Sequence, residues 1–433
     1  MLFKPDGFAT TPSLKKSSQR VRCTLFRAIN GRPDENLTKT IEQAGGIEKI
    51  IDSDDIVLIK PNAQWWNQGA PNLCALKTFI DLIMNRAGGF NGEVVLAENC
   101  HRGKTPWNAD NSGWSHAFSR NSDLKQFHNY NDLTAHLKKK YKEKFTEHHW
   151  IDVSRGGKRV YSPEDGNGYV YCDGTGGSPL MEFNNGAKGK NFRQVIMTYP
   201  IFKTDQNTVV DFKNGRWQKG GYTDQPLKFI NFAALNHHSS YCGVTSAVKN
   251  YLGITDLSGG PDPHTDGKLT DKYHNFHSFP FNKWSAGPEP GMIGAEIGIF
   301  MNSIRKANFN ITTAEWIGLV SRTETPVART RAVMACTDPV ALDYHAAKYI
   351  LFPNSKIPVH DPDNKNGPLY QYLKKCAEYG GGILNEEDVE IQSFDFKDNH
   401  LQKHDGLIVK GDINWGNNPK MLTKYIVLRC ASV

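Results

Sequence analysis

The chain has 433 residues, 38% of them hydrophobic, 11% aromatic and 22% charged, a balance that excludes disordered and fibrous classes. Its 52 Lys and Arg against 45 Asp and Glu leave a formal net charge of +7. Over this length that excess is too dilute to argue for nucleic acid and mildly favours small anionic ligands. No apolar run reaches the roughly 18 residues a membrane span needs, so no membrane span is expected, and the length allows about three domains, or fewer with one large α/β unit.

In chain order, residues 21–28 (VRCTLFRA) read as a β-strand from their β-branched and aromatic content. A helix follows from Asn36, with Asp34 or Asn36 as its cap. Asp55-Ile-Val-Leu-Ile is continuously apolar after its first residue, as expected of a strand covered on both faces, and it ends in Lys60-Pro61-Asn62. A helix at about 75–88 closes at Gly88-Gly89. The next strand, Glu93-Val-Val-Leu-Ala, ends in Glu98-Asn99. This alternation predicts a parallel sheet with right-handed crossovers.

From about 101 to 190 the chain is rich in Gly, Asn, Trp and Lys, with one helix near 131–144 whose Lys138-Lys139-Lys140 run reads as a solvated face. Strands resume at 194–203 and 228–235, and a helix at 243–252 ends at Gly253. Residues 255–290 form a long Gly-, Pro- and His-rich loop, a length usual in functional lids or disordered segments. A helix near 292–306, strands near 308–320 and 329–335 and a helix at 338–351 continue the pattern. The tail adds a helix from about 366, a Gly380-Gly381-Gly382 break and a short β ending. The expected fold is α/β, a mainly parallel sheet with helices on both faces. It occupies 20–351, with insertions at about 101–190 and 255–290 and a small C-terminal appendage, 352–433, packed on it.

The eight cysteines are scattered without a C-x-x-C pair, so no iron–sulfur cluster is expected and no disulfide framework is signalled. Met1–Arg22 holds Pro5, Pro12 and Lys15-Lys16 but no apolar signal core. That leaves a cytoplasmic protein, or a mature form of an exported periplasmic or extracellular one. Gly156-Gly157 and Gly174-Thr-Gly-Gly lack the strand-to-helix setting of a nucleotide loop, and no G-x-S-x-G elbow occurs.

Polar groups follow four predicted strands: Lys60 and Asn62; Glu98 and Asn99; Lys203-Thr204-Asp205; and Asn236-His237-His238. In a parallel sheet the carboxyl ends of strands converge on one rim, where ligands sit. In the helix that follows, Thr245 and Lys249 are i and i+4 and share a face. Lys249 is then either solvated or aimed at the rim, where it would bind a carboxylate or act as a base with a lowered pKa. His264, His274 and His277 in the long loop, with His237 or His238, are weak candidates for a divalent metal.

Three segments resemble the bacterial and archaeal family called domain of unknown function 362. They are Val57-Leu-Ile-Lys-Pro-Asn, Gly243-Val-Thr-Ser-Ala-Val-Lys-Asn-Tyr-Leu-Gly, and Thr337-Asp-Pro-Val-Ala-Leu-Asp. In order and spacing they frame about 55–351. The resemblance implies an α/β fold and a shared site at Lys60, Asn62, Thr245, Lys249, Asn250, Asp338 and Asp343, with His237 or His238 in place of the family's His before the helix. Asp338 has a second reading as a helix N-cap before Pro339. Many members of that family carry a ferredoxin-like cysteine cluster or a twin-arginine signal, and this sequence shows neither. The expectation is an enzyme acting on a small anionic or polar substrate by acid–base, isomerase-like chemistry or with a metal. His237, His238 and Lys249 would be its catalytic groups, and Lys60, Asn62, Glu98, Lys203, Thr245, Asn250, Asp338 and Asp343 its ligand contacts. The competing class is a non-catalytic ligand- or metal-binding module whose insertions recognise a partner.

Overall fold

The computed structural model describes residues 23–99, 112–184, 194–238, 242–257, 273–274, 291–402 and 407–430. Nine strands form the spine of its central sheet: β1 (Cys23–Ile29), β2 (Ile56–Pro61), β3 (Glu93–Asn99), β4 (Phe145–Trp150), β5 (Leu227–His237), β6 (Phe309–Gly318), β7 (Val327–Cys336), β8 (Val389–Asp395) and β9 (His400–Gln402). Their order is β9-β8-β1-β7-β6-β5-β2-β3-β4. All run in one direction except β7 and β9, which are antiparallel to their neighbours.

The apolar strands are explained by two cores, one on each face. Ile56, Leu58, Val95 and Ala97 belong to one, while Val57, Ile59, Val94 and Leu96 belong to the other. Side chains alternate across a strand, so a strand buried on both faces is apolar at every position. Helices α1 (Pro33–Gln43), α2 (Leu73–Met84) and α3 (Tyr130–Tyr141) contribute Leu37, Phe79 and Leu133 to the second core. The first core is covered by α4 (Ala247–Asn250), α5 (Met292–Ser303), α6 (Pro339–Ala346) and α7 (Pro368–Gly380).

Most predicted elements are present, and the departures have local causes. Helix α1 starts at Pro33, where the missing N–H costs nothing. Asn36 does not cap it; its buried amide bonds the Gly31 N–H and the Arg331 carbonyl and ties the helix to β7. The single strand expected at 194–203 is two: Gln194–Ile196 lies in a three-stranded sheet, and Thr198–Lys203 in a five-stranded antiparallel one. That antiparallel sheet was not foreseen. Its strands between 209 and 222 are two to four residues long, too short to show a period. Lys219 (φ 51°) and Gly220 (φ 82°) form the two-residue turn of its last hairpin. The sheet packs on the first core, where Phe212 meets Phe229 with ring centroids 5.2 Å apart.

Residues 352–433, expected as an appendage, supply β8, which pairs in parallel with β1, and α7, which lies against α5. The helices meet closely because α5 carries glycines: a Cβ at Gly294 would stand 1.9 Å from the Tyr372 carbonyl oxygen. Within the described residues no helix is long and apolar enough to cross a membrane.

The predicted helix at 243–252 is largely replaced. Val244–Thr245 pairs antiparallel with Asn236–His237, and only Ala247–Asn250 is α-helical before a 3₁₀ turn at Tyr251–Ile254. Ser246 has extended backbone (φ −162°), which breaks the helix. Thr245 and Lys249 are therefore not one turn apart on a helix.

Candidate functional site

From the β2–β5 junction, chain order advances toward β4 on one side and toward β7 on the other. Such a switch point opens a crevice at the carboxyl ends of the strands. A pocket of about 440 Å³, mouth included, lies there. Lys60 of β2, Glu98 of β3, Asn62 in the loop after β2, and Thr245, Lys249 and Asn250 in the segment after β5 line it together. Residues spread over 190 positions thus meet at the ends of β2 and β3, while two of the four expected strand ends, at Lys203 and at His237-His238, do not join them.

Lys60 and Glu98 form a fully buried ion pair, Nζ to Oε1 2.9 Å. Glu98 also accepts the Ala63 N–H at 2.7 Å and the Asn99 N–H at 3.2 Å, while Lys60 donates to the Pro61 carbonyl at 3.0 Å and to the Asn250 side-chain oxygen. Burial pushes the Lys60 pKa down and the Glu98 pKa up, and their mutual attraction opposes both shifts. Asn250 donates to the Lys60 carbonyl at 2.9 Å and to Asn231 at 2.7 Å, and Asn231 donates to Asn310 at 2.9 Å. This run of buried amides crosses from the pocket to β6 and fixes Lys60. Such satisfied polar networks make one arrangement much better than its alternatives.

Lys249 differs from Lys60. It is 7% exposed, and among the described residues no carboxylate pairs with it. Burial brings its pKa down to about 8, opposed by the Cys242 thiol and reinforced by the positive charges of Arg322 and Lys60. The Thr245 hydroxyl is buried in the same pocket without a hydrogen-bond partner among the described residues. Arg322 lies at the pocket wall, its guanidinium 4.8 Å above the Trp65 ring. With Glu98 neutralised by Lys60, the Lys249 ammonium is left as a positive charge in the pocket without a carboxylate among the described residues.

The remaining expected residues lie elsewhere. His237 and His238 are buried but do not line this pocket. His237 Nδ1 meets His360 Nε2 at 2.8 Å, and burial pushes His237 well below its usual pKa and His360 down to about 3. His238 Nδ1 lies 3.2 Å from Cys242 Sγ. The β-bridge at Asn236–His237 folds the chain back on itself, so this end of β5 is covered by the 242–245 segment. Lys203 ends a strand of the antiparallel sheet, is exposed and is not among the pocket residues. Asp338 caps α6, accepting the Val340 and Ala341 N–H groups at 2.9 Å each. Asp343 accepts the Ala247 and Val248 N–H groups at 2.8 and 2.9 Å, anchoring the turn that carries Lys249. Burial pushes the Asp343 pKa up to about 7 against those bonds. Of the metal candidates, His264 and His277 lie outside the described residues, and His274 falls in a short strand whose side chain is not described. Among the described residues no group of three or more His, Cys, Asp or Glu side chains is arranged to hold a metal ion.

Sequence reasoning missed Gln64, Trp65, Gly253, Leu257 and Arg322. Gln64 and Trp65 follow the Lys60-Pro61-Asn62 signal directly and were within reach of it, whereas Arg322 sits in the β6–β7 loop with no motif around it. Gly253 is not a left-handed helix stop. A Cβ there would stand 2.4 Å from Lys60 Nζ and 2.6 Å from Glu98 Oε1, so glycine lets the backbone approach the ion pair. Comparison of the chain with family models, curated proteins and solved structures returned no match.

Proposed function

We propose that the chain is an enzyme of the domain-of-unknown-function-362 type that acts on a small anionic substrate by proton transfer, with Lys249 as the acid–base group. The observation that carries this reading is a buried lysine that has no carboxylate partner among the described residues, in a polar pocket at the sheet's switch point. A fold tolerates such a charge at a cost in stability, and a ligand anion is the natural counter-charge. A pKa of about 8 leaves part of Lys249 unprotonated near neutral pH, as a general base requires. The Thr245 hydroxyl supplies a further donor for the anion and Arg322 a positive charge at the wall, while Lys60, saturated by Glu98 and Asn250, sets the field beside them. His237 and His238, outside the lining, have packing roles in this reading. The family resemblance agrees with it: Lys60 and Asn62 from the first motif and Thr245, Lys249 and Asn250 from the second share the pocket, and Asp343 from the third supports the second.

The test is isotope exchange. Small carboxylic acids bearing an acidic α-hydrogen (amino, hydroxy and oxo acids) are incubated with the protein in deuterium oxide and followed by proton NMR. At least one should lose its α-hydrogen signal with the native chain and keep it with Lys249→Met. Exchange that survives Lys249→Met, or no exchange and no binding across the panel, overturns the reading. Binding without exchange replaces it with that of a ligand-binding module.

A further inference from the structure

We propose that Cys23 and Cys336 are a redox-active dithiol that closes to an intramolecular disulfide by exchange with a small-molecule disulfide. Their sulfurs lie 3.6 Å apart, with the Cys336 thiol donating to Cys23. The pairing follows from strand register. β1 and β7 are antiparallel with Phe26 opposite Ala335, so Cys336 faces the position of Leu25 and Cys23 is its diagonal neighbour on the same side of the sheet. A disulfide needs about 2.05 Å between the sulfurs, a closure of about 1.5 Å that side-chain rotation at the first residue of β1 can supply.

The two thiols have different surroundings. Cys336 is fully buried, and its sulfur accepts the Asp338 N–H at 3.3 Å. Cys23 is partly exposed, and the hydrogen bond from Cys336 lowers its pKa against burial and the Asp338 carboxylate, with a smaller contribution from the Lys306 ammonium. Cys23 is therefore the attacking thiolate and Cys336 the resolving thiol. In the first step the Cys23 thiolate attacks one sulfur of the small disulfide, forming a mixed disulfide and expelling one thiolate. In the second, the Cys336 thiol gives its proton to the departing small thiolate as its sulfur attacks the Cys23 sulfur, and the second small thiol is released. Two protein thiols are oxidised by two electrons, and the small disulfide is reduced to two thiols. Among the described residues no other two cysteine sulfurs are hydrogen-bonded to each other, and the pair lies outside the pocket-lining residues, so the inference does not depend on the proposed reaction.

The full chain carrying Cys430→Ser, which removes the one exposed thiol among the described residues, is equilibrated in glutathione buffers of graded redox ratio. It is then quenched with an alkylating agent and digested for peptide mass mapping. The expected product is a Cys23–Cys336 linked peptide, lighter than the two reduced peptides by two hydrogen atoms, that reverts on reduction. In Cys336→Ala, glutathione should remain attached to Cys23. Glutathione retained on Cys23 with Cys336 intact, separate alkylation of both thiols after the oxidising incubation, or linkage of Cys23 to any other cysteine overturns the proposal. The mapping on the parent chain decides the question even if the alanine variant fails to fold.

Discussion

Lys249→Met is expected to make the protein more stable at neutral pH while removing its response to anions. The lysine is 7% exposed, and its pKa stands at about 8 instead of 10.5. At 1.36 kcal/mol per pKa unit, holding the buried ammonium costs the fold about 3 kcal/mol where the group is charged in both states. The folded pKa is depressed, so between about pH 8 and 10.5 the unfolded chain holds a proton that the folded chain has released, and stability rises with pH across that window. Below pH 8 the cost is present in full. Methionine has a similar length and no charge, so the variant should gain about 3 kcal/mol at pH 7, and that gain should shrink toward zero near pH 10.5. With an unfolding entropy of about 2.1 cal/mol/K per residue, a chain of 433 residues loses about 0.9 kcal/mol of stability per degree at its midpoint. The expected rise in Tm is then about 3 °C. The assay is the difference in Tm between variant and native chain from pH 7 to 10.5, repeated with acetate and with inorganic phosphate. The native chain should be stabilised by at least one of these anions, and the variant by neither. A variant that melts at or below the native chain at pH 7 with a gap independent of pH, or one that keeps the anion response, refutes the argument.

Gly253→Ala should destabilise by about 1–3 kcal/mol in urea unfolding, because the new methyl group meets both Lys60 Nζ and Glu98 Oε1; a neutral result would mean the ends of the ion-paired side chains yield there freely. Glu98→Gln should cost about 3–5 kcal/mol by leaving Lys60 buried without its counter-charge. The double variant Lys60→Met/Glu98→Gln should unfold closer to the native chain than Glu98→Gln alone, and additive losses would argue against a coupled pair. Asp338→Ala should cost about 1 kcal/mol as a lost helix cap and leave the anion response intact. Asp343→Ala should cost about 1–3 kcal/mol through two unmet backbone donors and weaken that response, which calorimetric melting with phosphate separates.

Much of the scaffold follows from local pattern. The continuous apolar runs at 56–59 and 94–97, each closed by charged or amide groups, announce strands buried on both faces with a rim at their ends. Lys60 and Glu98 were legible from that logic alone. Lys249 was legible for an incorrect local reason: the i, i+4 helical face does not exist, since Thr245 is held in a β-bridge to Asn236 and Asp343 caps the single turn that follows. The histidines were misplaced because proximity along the chain to a strand end does not say which way the next segment folds. Here it folds back, and His237 meets His360, 123 positions away.

The sequence by itself determined which segments bury both faces and which residues stand at their ends, because alternation and side-chain type act over a few residues. Tertiary structure alone decided which of those ends share a cavity and how charges are matched within it. It placed β3 and β5 on either side of β2, so that Glu98 neutralises Lys60 while Lys249, arriving in the segment after β5, has no carboxylate partner among the described residues. It brought Arg322 over Trp65, left room at Gly253 for the ion pair, and set Cys23 diagonal to Cys336 across 313 positions. Each of these is a contact between segments whose approach is fixed by sheet order and packing over the whole chain, and no local spacing encodes it.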